Sequence, residues 1–90
     1  MQLRLLDEVM DLGGRGIALL WMETEGEKAP CAGMKLRDAR GNVHEVASIS
    51  VHDQVTTLYL PGGNADYFGR LFRDIRIDAT LFEEVSSPCL

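Results

Sequence analysis

Two histidines are the residues whose types most readily suggest chemistry. His44 and His52 flank one apolar run, and each is followed directly by a carboxylate, Glu45 and Asp53. Imidazole beside carboxylate suits a metal site or an acid–base pair. A metal site needs three or more convergent ligands, and no further Cys, His, Asp or Glu recurs at a ligand spacing around this pair. We therefore interpret both side chains as solvated histidines at strand ends, and we expect no metal and no cofactor.

Nucleophilic catalysis and phosphate binding are equally hard to assemble from the sequence. Ser48 and Ser50 stand within a predicted strand, and the nearby histidines have no obvious orienting partner. The glycine-rich run 13–16 could suggest a phosphate cradle, but such cradles open a helix, whereas an apolar strand is predicted to follow here. A hairpin turn is the favoured interpretation of this run, and the chain is not expected to be an enzyme.

Arginine and lysine concentrate in two places within an otherwise acidic chain. One cluster is Lys35, Arg37 and Arg40, and a second recurs at every third residue as Arg70, Arg73 and Arg76. A local basic patch can bind RNA even when the net charge is negative. The favoured interpretation is nevertheless a solvated charged face, since strand edges commonly carry Lys and Arg to limit pairing with other chains.

Composition limits the classes of protein that fit. The 90 residues are 46% hydrophobic and 26% charged, as in one globular domain, with a net charge of −5 that disfavours DNA and anionic membranes. Cys31 and Cys89 form neither a disulfide framework nor a metal pattern, so we expect two free thiols in a reducing compartment. The first residues lack the uninterrupted apolar stretch of a secretory signal, and a cytoplasmic location is the resulting expectation.

Short apolar or alternating runs separated by turn residues indicate an all-β fold. They span residues 3–10, 17–22, 34–37, 43–51, 55–60 and 80–85. The first two are expected to pair as a hairpin, as are the third and fourth. We predict a small closed or nearly closed antiparallel β-barrel of six or seven strands that forms a single domain over residues 1–85, with residues 86–90 as a flexible C-terminal tail.

Two local features add detail to this prediction. In the fourth run, alternation places Val43, Ala47, Ile49 and Val51 on one face. In residues 64–77, Asn64 could cap a helix whose apolar positions recur at helical spacing, although Gly69 in its middle argues against one. Periodicity alone slightly favours the helix there.

The order of the glycine-punctuated pieces resembles a known family. Gly14-Arg15-Gly16 precedes an apolar strand, Gly33 precedes another, and the stretch from Phe68 to Ile75 follows. This succession is similar to the second-domain β-barrel of translational GTPases such as elongation factor Tu. The resemblance implies a strand over residues 68–75 and reverses the choice of a helix. The sequence contains no Walker-type phosphate loop, so no GTPase activity is expected.

The resemblance and the lack of a catalytic constellation together imply a noncatalytic binding module. It would dock on a protein or ribonucleoprotein partner, whose identity the sequence does not reveal. The alternative is an RNA or tRNA-end binder that uses the arginine-bearing strand, and the resemblance implies that Asp66 lies near the terminal adenosine of such an RNA. The expected partner-binding residues are Arg15, Asp66, Tyr67, Arg70, Arg73 and Arg76.

Overall fold

The computed structural model describes residues 2–74 and 79–86, which form eight strands and one α-helix. The strands are β1 (Gln2–Arg4), β2 (Val9–Asp11), β3 (Ile17–Met22), β4 (Lys35–Arg37), β5 (Val43–Glu45), β6 (Ser48–His52), β7 (Val55–Leu60) and β8 (Leu81–Ser86). The helix, α1, covers Ala65–Asp74. Within these described ranges, no helix has the length and apolar character needed to cross a membrane.

All strand pairing is antiparallel and falls into two four-stranded sheets. The first sheet, sheet A, has the order β1-β8-β4-β5, and the second, sheet B, has the order β2-β3-β7-β6. The expected β-rich fold is therefore confirmed. The strands number eight among the described residues, rather than six or seven. β8 ends at Ser86, one residue past the expected domain boundary, and residues 87–90 lie outside the described part of the chain.

The two longest internal strands lie where apolar runs between turn residues predicted them. β3 is buried along most of its length, and β7 alternates between buried and half-buried positions. They pair with each other from Ile17 opposite Leu60 to Met22 opposite Val55. The expected hairpins also form, since β2 pairs with β3 and β4 pairs with β5. These pairings fix the position of the segment that leaves β7 at Leu60.

The alternation predicted over residues 43–51 does not continue along the whole run. Val43, Ala47 and Val51 are exposed, Ile49 is half-buried, and the fully buried residue is Val46. The chain passes from sheet A to sheet B here. The Val46 N–H donates a hydrogen bond to Met34 O, next to β4, at 2.8 Å, whereas the Ala47 N–H donates to Tyr59 O, in β7, at 2.9 Å. This bend interrupts the regular alternation on which the face assignment depended.

The segment expected from the resemblance to be a strand is a helix instead. α1 covers the described part of that stretch, residues 68–74, while Ile75 lies outside the described residues. The Asn64 side-chain oxygen accepts a hydrogen bond from the Tyr67 N–H at 3.1 Å, which is the capping contact that the sequence suggested. Helical spacing buries Phe68 and Leu71 on one face, so periodicity gave the correct structure.

One hydrophobic core joins the two sheets and the helix. Leu19 and Leu58 contribute from sheet B, Leu36 and Phe82 from sheet A, and Phe68 from α1, all almost completely shielded from solvent. The Phe68 ring lies 6.5 Å from that of Phe82 in a stacked arrangement. α1 is thereby held against the sheets by its apolar face, and its first turn is placed beside β5.

Cys31 is disulfide-bonded, so the expectation of a free thiol at this position is wrong. Cys89 lies outside the described residues.

Candidate functional site

A buried carboxylate organises the region where the β4–β5 hairpin meets α1. The Asp38 side chain is completely shielded from solvent. Its Oδ1 accepts hydrogen bonds from two backbone N–H groups of its own turn, Arg40 at 2.8 Å and Asn42 at 3.0 Å. Its Oδ2 contacts His44 Nε2 at 2.7 Å and accepts a hydrogen bond from the Tyr67 hydroxyl at 2.5 Å. The carboxylate therefore ties the hairpin turn, β5 and α1 together.

Four further contacts fix the side chains around this carboxylate. The Tyr67 hydroxyl also accepts a hydrogen bond from Asn42 Nδ2 at 2.7 Å, and the Arg40 guanidinium lies 5.9 Å from the centre of the Tyr67 ring. The His44 ring packs 4.7 Å from that of Phe68 and 5.8 Å from that of Tyr67. Both polar and aromatic contacts thus hold His44 in one orientation.

The ionisation of Asp38 follows from these contacts. Burial raises its pKa, but the hydrogen bonds from His44, Tyr67, Asn42 and Arg40 outweigh burial and leave the pKa below its usual value. A carboxylate can only accept hydrogen bonds, so Nε2 of His44 must carry the hydrogen in their shared bond. Burial, the hydrogen bond to Asp38 and its negative charge together raise the pKa of Tyr67, which keeps the hydroxyl a donor.

No pattern in the sequence indicates this network. The interpretation of both histidines as solvated is wrong for His44, whose side chain is 17% exposed and bonded to Asp38, although His52 is 93% exposed. Asp38 has the sequence context of an ordinary turn residue between two strands. Its burial depends on Tyr67, which reaches it from 29 residues later in the chain, and no local pattern reveals such a contact.

Three adjoining cavities surround the segment between β7 and α1. The first, of about 400 Å³, lies between β5 and Pro61–Gly63, and it shares His44, Gly62 and Gly63 with a second of about 460 Å³ at the first turn of α1. It shares Ala47 and Pro61 with a third of about 500 Å³ near residues 12–15. We call these three neighbouring cavities around Pro61–Gly63 the trough.

Of the six residues expected to bind a partner, four line the trough. Asp66, Tyr67 and Arg70 border its α1 end, and Arg15 borders the opposite end. Arg70 forms an exposed ion pair with Asp66 at 3.2 Å, whereas Arg15 has no ion pair among the described residues. Arg73 lies outside the trough and contacts Asp74 at 3.6 Å, and Arg76 lies outside the described residues. Arg40, which was not among the six, borders the trough as well.

The shifted pKa values predict how stability depends on pH. Asp38 has its pKa lowered by folding, so its contribution to stability is present above the usual value of 3.8 and is lost as pH falls through its folded pKa. Tyr67 has its pKa raised, so its contribution is present below 10.0 and is lost as pH rises through its folded pKa. Tyr67→Phe should lower the free energy of unfolding by about 1–3 kcal/mol at neutral pH. Because the substitution removes a hydrogen bond that lowers the pKa of Asp38, the decrease in stability at low pH should begin at a higher pH. Urea unfolding from pH 2 to pH 11 measures both effects.

Tyr59→Phe is the matched control for this measurement. Tyr59 is half-buried like Tyr67, but its hydroxyl has no hydrogen bond among the described residues. The other titrating groups are common to both variants, so the difference between their stability curves reports on the contacts of the Tyr67 hydroxyl. Identical curves for the two variants would show that the bond to Asp38 contributes nothing to stability.

Comparison of the chain with models of protein families, with characterised proteins and with solved structures gives no match.

Proposed function

We propose that this chain is a noncatalytic binding module that docks on a protein partner through the trough. The observation that carries the proposal is the set of three neighbouring cavities around Pro61–Gly63 that share lining residues, with Arg15 at one end and Arg40 and Arg70 at the other. A concave surface that combines apolar lining with a few polar groups suits ligand or partner binding. The arginines favour a partner that carries acidic groups.

The proposal includes a nearly closed barrel as the scaffold of the trough. Two runs of chain, residues 2–11 and 43–52, each contribute one strand to sheet A and one to sheet B. The first run bonds to both sheets through Leu5 N–H to Thr80 O and Leu6 N–H to Leu20 O, each at 2.9 Å. Counting each bent run as one strand gives a six-stranded barrel. Closure of this kind would remove exposed sheet edges along most of the chain.

The resemblance to the second-domain barrel of translational GTPases enters the proposal only for the strands up to β7. Residues 68–74, which supplied its later part, are helical. We therefore propose a barrel of that general kind and carry over no nucleotide or tRNA pocket from the family.

We propose that the chain is noncatalytic because of the residues that surround His44. In its neutral form, with Nε2 carrying the hydrogen, Nδ1 could accept a proton. A nucleophile would have to lie within hydrogen-bond reach of it. Among the described residues that border the two cavities His44 lines, there is no Ser, Thr, Cys or Lys side chain. We propose that the Asp38–His44 pair holds the wall of the trough in place and does not activate a substrate.

RNA binding receives less support than protein binding. RNA-binding proteins commonly stack bases on exposed aromatic rings. The Tyr67 ring is instead covered by Arg40, and its edge packs against Phe68 at 5.3 Å. The ion pairs of Arg70 with Asp66 and of Arg73 with Asp74 lower the positive charge available to phosphates and to acidic side chains alike, so the surroundings of the Tyr67 ring decide between the two kinds of partner. We keep RNA as an outcome that the experiment below distinguishes.

The test starts with capture of partners on the immobilised full chain, with and without ribonuclease, followed by calorimetry with a purified partner. Arg15→Glu is the informative variant because Arg15 is exposed, borders the trough and lacks an ion pair in the described structure. Lys28→Glu changes the charge equally at an exposed position outside the trough. We expect capture to resist ribonuclease and affinity to fall about tenfold for Arg15→Glu but less than twofold for Lys28→Glu.

Two results would contradict the proposal. A chain that captures no partner, or a partner that binds both charge variants equally, would remove the trough as the docking site. Capture that disappears with ribonuclease, with binding that weakens steeply as salt rises, would replace the protein partner with RNA.

A further inference from the structure

Along one edge of strand β5, the backbone N–H and C=O groups form no hydrogen bonds to β4. The Asp38 N–H donates to Asn42 O at 2.8 Å, and the Val46 N–H donates to Met34 O at 2.8 Å. In an antiparallel pair the bonded residues alternate, so His44 also bonds to β4. Val43 and Glu45 must then direct their N–H and C=O groups away from β4. The edge presents two donors and two acceptors.

This free edge borders the trough. The cavity of about 400 Å³ is lined by Val43, His44 and Glu45 on one side and by Leu60 and Pro61–Gly63 on the other. The Ala47 N–H bonds to Tyr59 O, and β5 and the segment after β7 separate beyond that point. Gly62 lacks a side chain, and a Cβ placed there would meet nothing within 4 Å. The space beside β5 therefore lies between two segments of chain, β5 and residues 60–63, and no side chain at Gly62 fills it.

Strand β6 provides a comparison within the same molecule. It joins β7 through a two-residue turn, with His52 opposite Val55, so the alternation directs the backbone groups of Ile49 and Val51 away from β7. Val51 is 65% exposed and Val43 is 47% exposed. Val51 borders none of the three cavities of the trough, whereas Val43 does. The two edges thus differ in their surroundings and not in their backbone chemistry.

We propose that an extended segment of a partner protein adds to sheet A along β5, with its backbone hydrogen-bonded to Val43 and Glu45. This inference rests on the proposed function and names the form in which the partner binds. Strand addition gains affinity from the main-chain bonds and specificity from alternate side chains that enter neighbouring pockets. The arginines at the two ends of the trough select acidic residues on both sides of the paired part of the segment.

The shape of the site favours a single segment over a second copy of this chain. A copy would have to bring its own β5 to this edge together with its own Pro61–Gly63, which lie across the cavity from that strand. The Pro61–Gly63 segments of the two copies would obstruct each other, and each copy carries a net charge of −5. A slender extended chain with acidic ends meets neither obstacle.

The test uses a displayed library of random heptapeptides, selected on the immobilised full chain. The selected peptides are then synthesised and their affinities measured for the wild-type chain, Val43→Pro and Val51→Pro. Proline removes one edge N–H in each variant, and edges are where strands tolerate proline. We expect peptides with acidic residues toward both ends. Their affinity should fall at least about tenfold for Val43→Pro and remain within twofold for Val51→Pro.

Amide hydrogen exchange of the wild-type chain gives a second measurement that does not depend on folding of the variants. The Val43 and Glu45 amides should exchange at least about tenfold more slowly when a selected peptide is bound. Unchanged exchange at both amides, or equal affinity for the two proline variants, would overturn strand addition. If peptide affinity still falls for Arg15→Glu in that case, the trough remains the binding site and the proposed function stands.

Two other results also overturn this inference and are distinct from failure of the proposed function. One is a purified partner that binds the trough only as a folded domain, with no selected peptide binding. The other is a dimer detected by analytical ultracentrifugation and lost in Val43→Pro, which would assign the edge to a second copy of this chain.

Discussion

Asp38→Ala is expected to lower the free energy of unfolding by about 3–5 kcal/mol. The substitution removes the acceptor of four hydrogen bonds, those from the Arg40 and Asn42 backbone, from Tyr67 and from His44. It leaves these partly buried donors without their acceptor, and a shielded polar group without a partner is costly. Urea unfolding followed by the fluorescence of the buried Trp21 measures the change.

Asp53→Ala is not a suitable control because Asp53 has a positive φ of 56°, which alanine tolerates poorly. Asp66→Ala serves better, since the Asp66 side chain is 72% exposed and its ion pair with Arg70 lies on the surface. We expect that control to change stability by less than about 1 kcal/mol. A similar small effect for Asp38→Ala would show that the buried carboxylate does not hold the hairpin to α1.

Phe68→Ala is expected to destabilise the protein by a comparable amount, about 3–5 kcal/mol. The Phe68 ring is fully buried and contacts the rings of His44, Phe72 and Phe82. Its removal leaves a cavity between α1 and sheet A and takes away the apolar contact that orients His44. Differential scanning calorimetry and urea unfolding should both register the loss, since Phe68 belongs to the core that the described residues of both sheets and α1 share.

Phe72→Ala provides the comparison for this core substitution. Phe72 lies one turn later on α1 and is only partly buried against the core. Its truncation should cost clearly less than that of Phe68, because less apolar surface leaves a buried site. Equal losses for the two variants would contradict the assignment of Phe68, and not Phe72, as the residue that anchors the helix.

The parts of the fold that the sequence predicted are those set by local pattern. β3 and β7 are apolar or alternating runs bounded by glycine, proline or other turn residues. The helical spacing of Phe68 and Leu71 and the cap at Asn64 were also visible in the sequence. The resemblance instead implied a strand over the same residues. Periodicity was the better guide here because it reports directly on which residues share a buried face.

The features that the sequence did not predict depend on contacts between distant segments. The bend at Val46 and Ala47 moves the chain from one sheet to the other, which alternation within one run does not show. The network around Asp38 needs a helix residue, Tyr67, to arrive beside a hairpin turn. Arg15 and Tyr67 were expected to contribute to binding, but only the fold shows that both border the same trough.

Mapping of amide chemical shifts on the full chain with a purified partner is the strongest test of docking at the trough. We expect the largest changes on titration on both walls of the trough, at residues 43–45 and 62–63, and on Arg15. Little change is expected at the distant exposed turn of Asp53 and Gln54. Changes concentrated at that turn or on the exposed edge of β6, with the trough residues unaffected, would contradict docking at the trough.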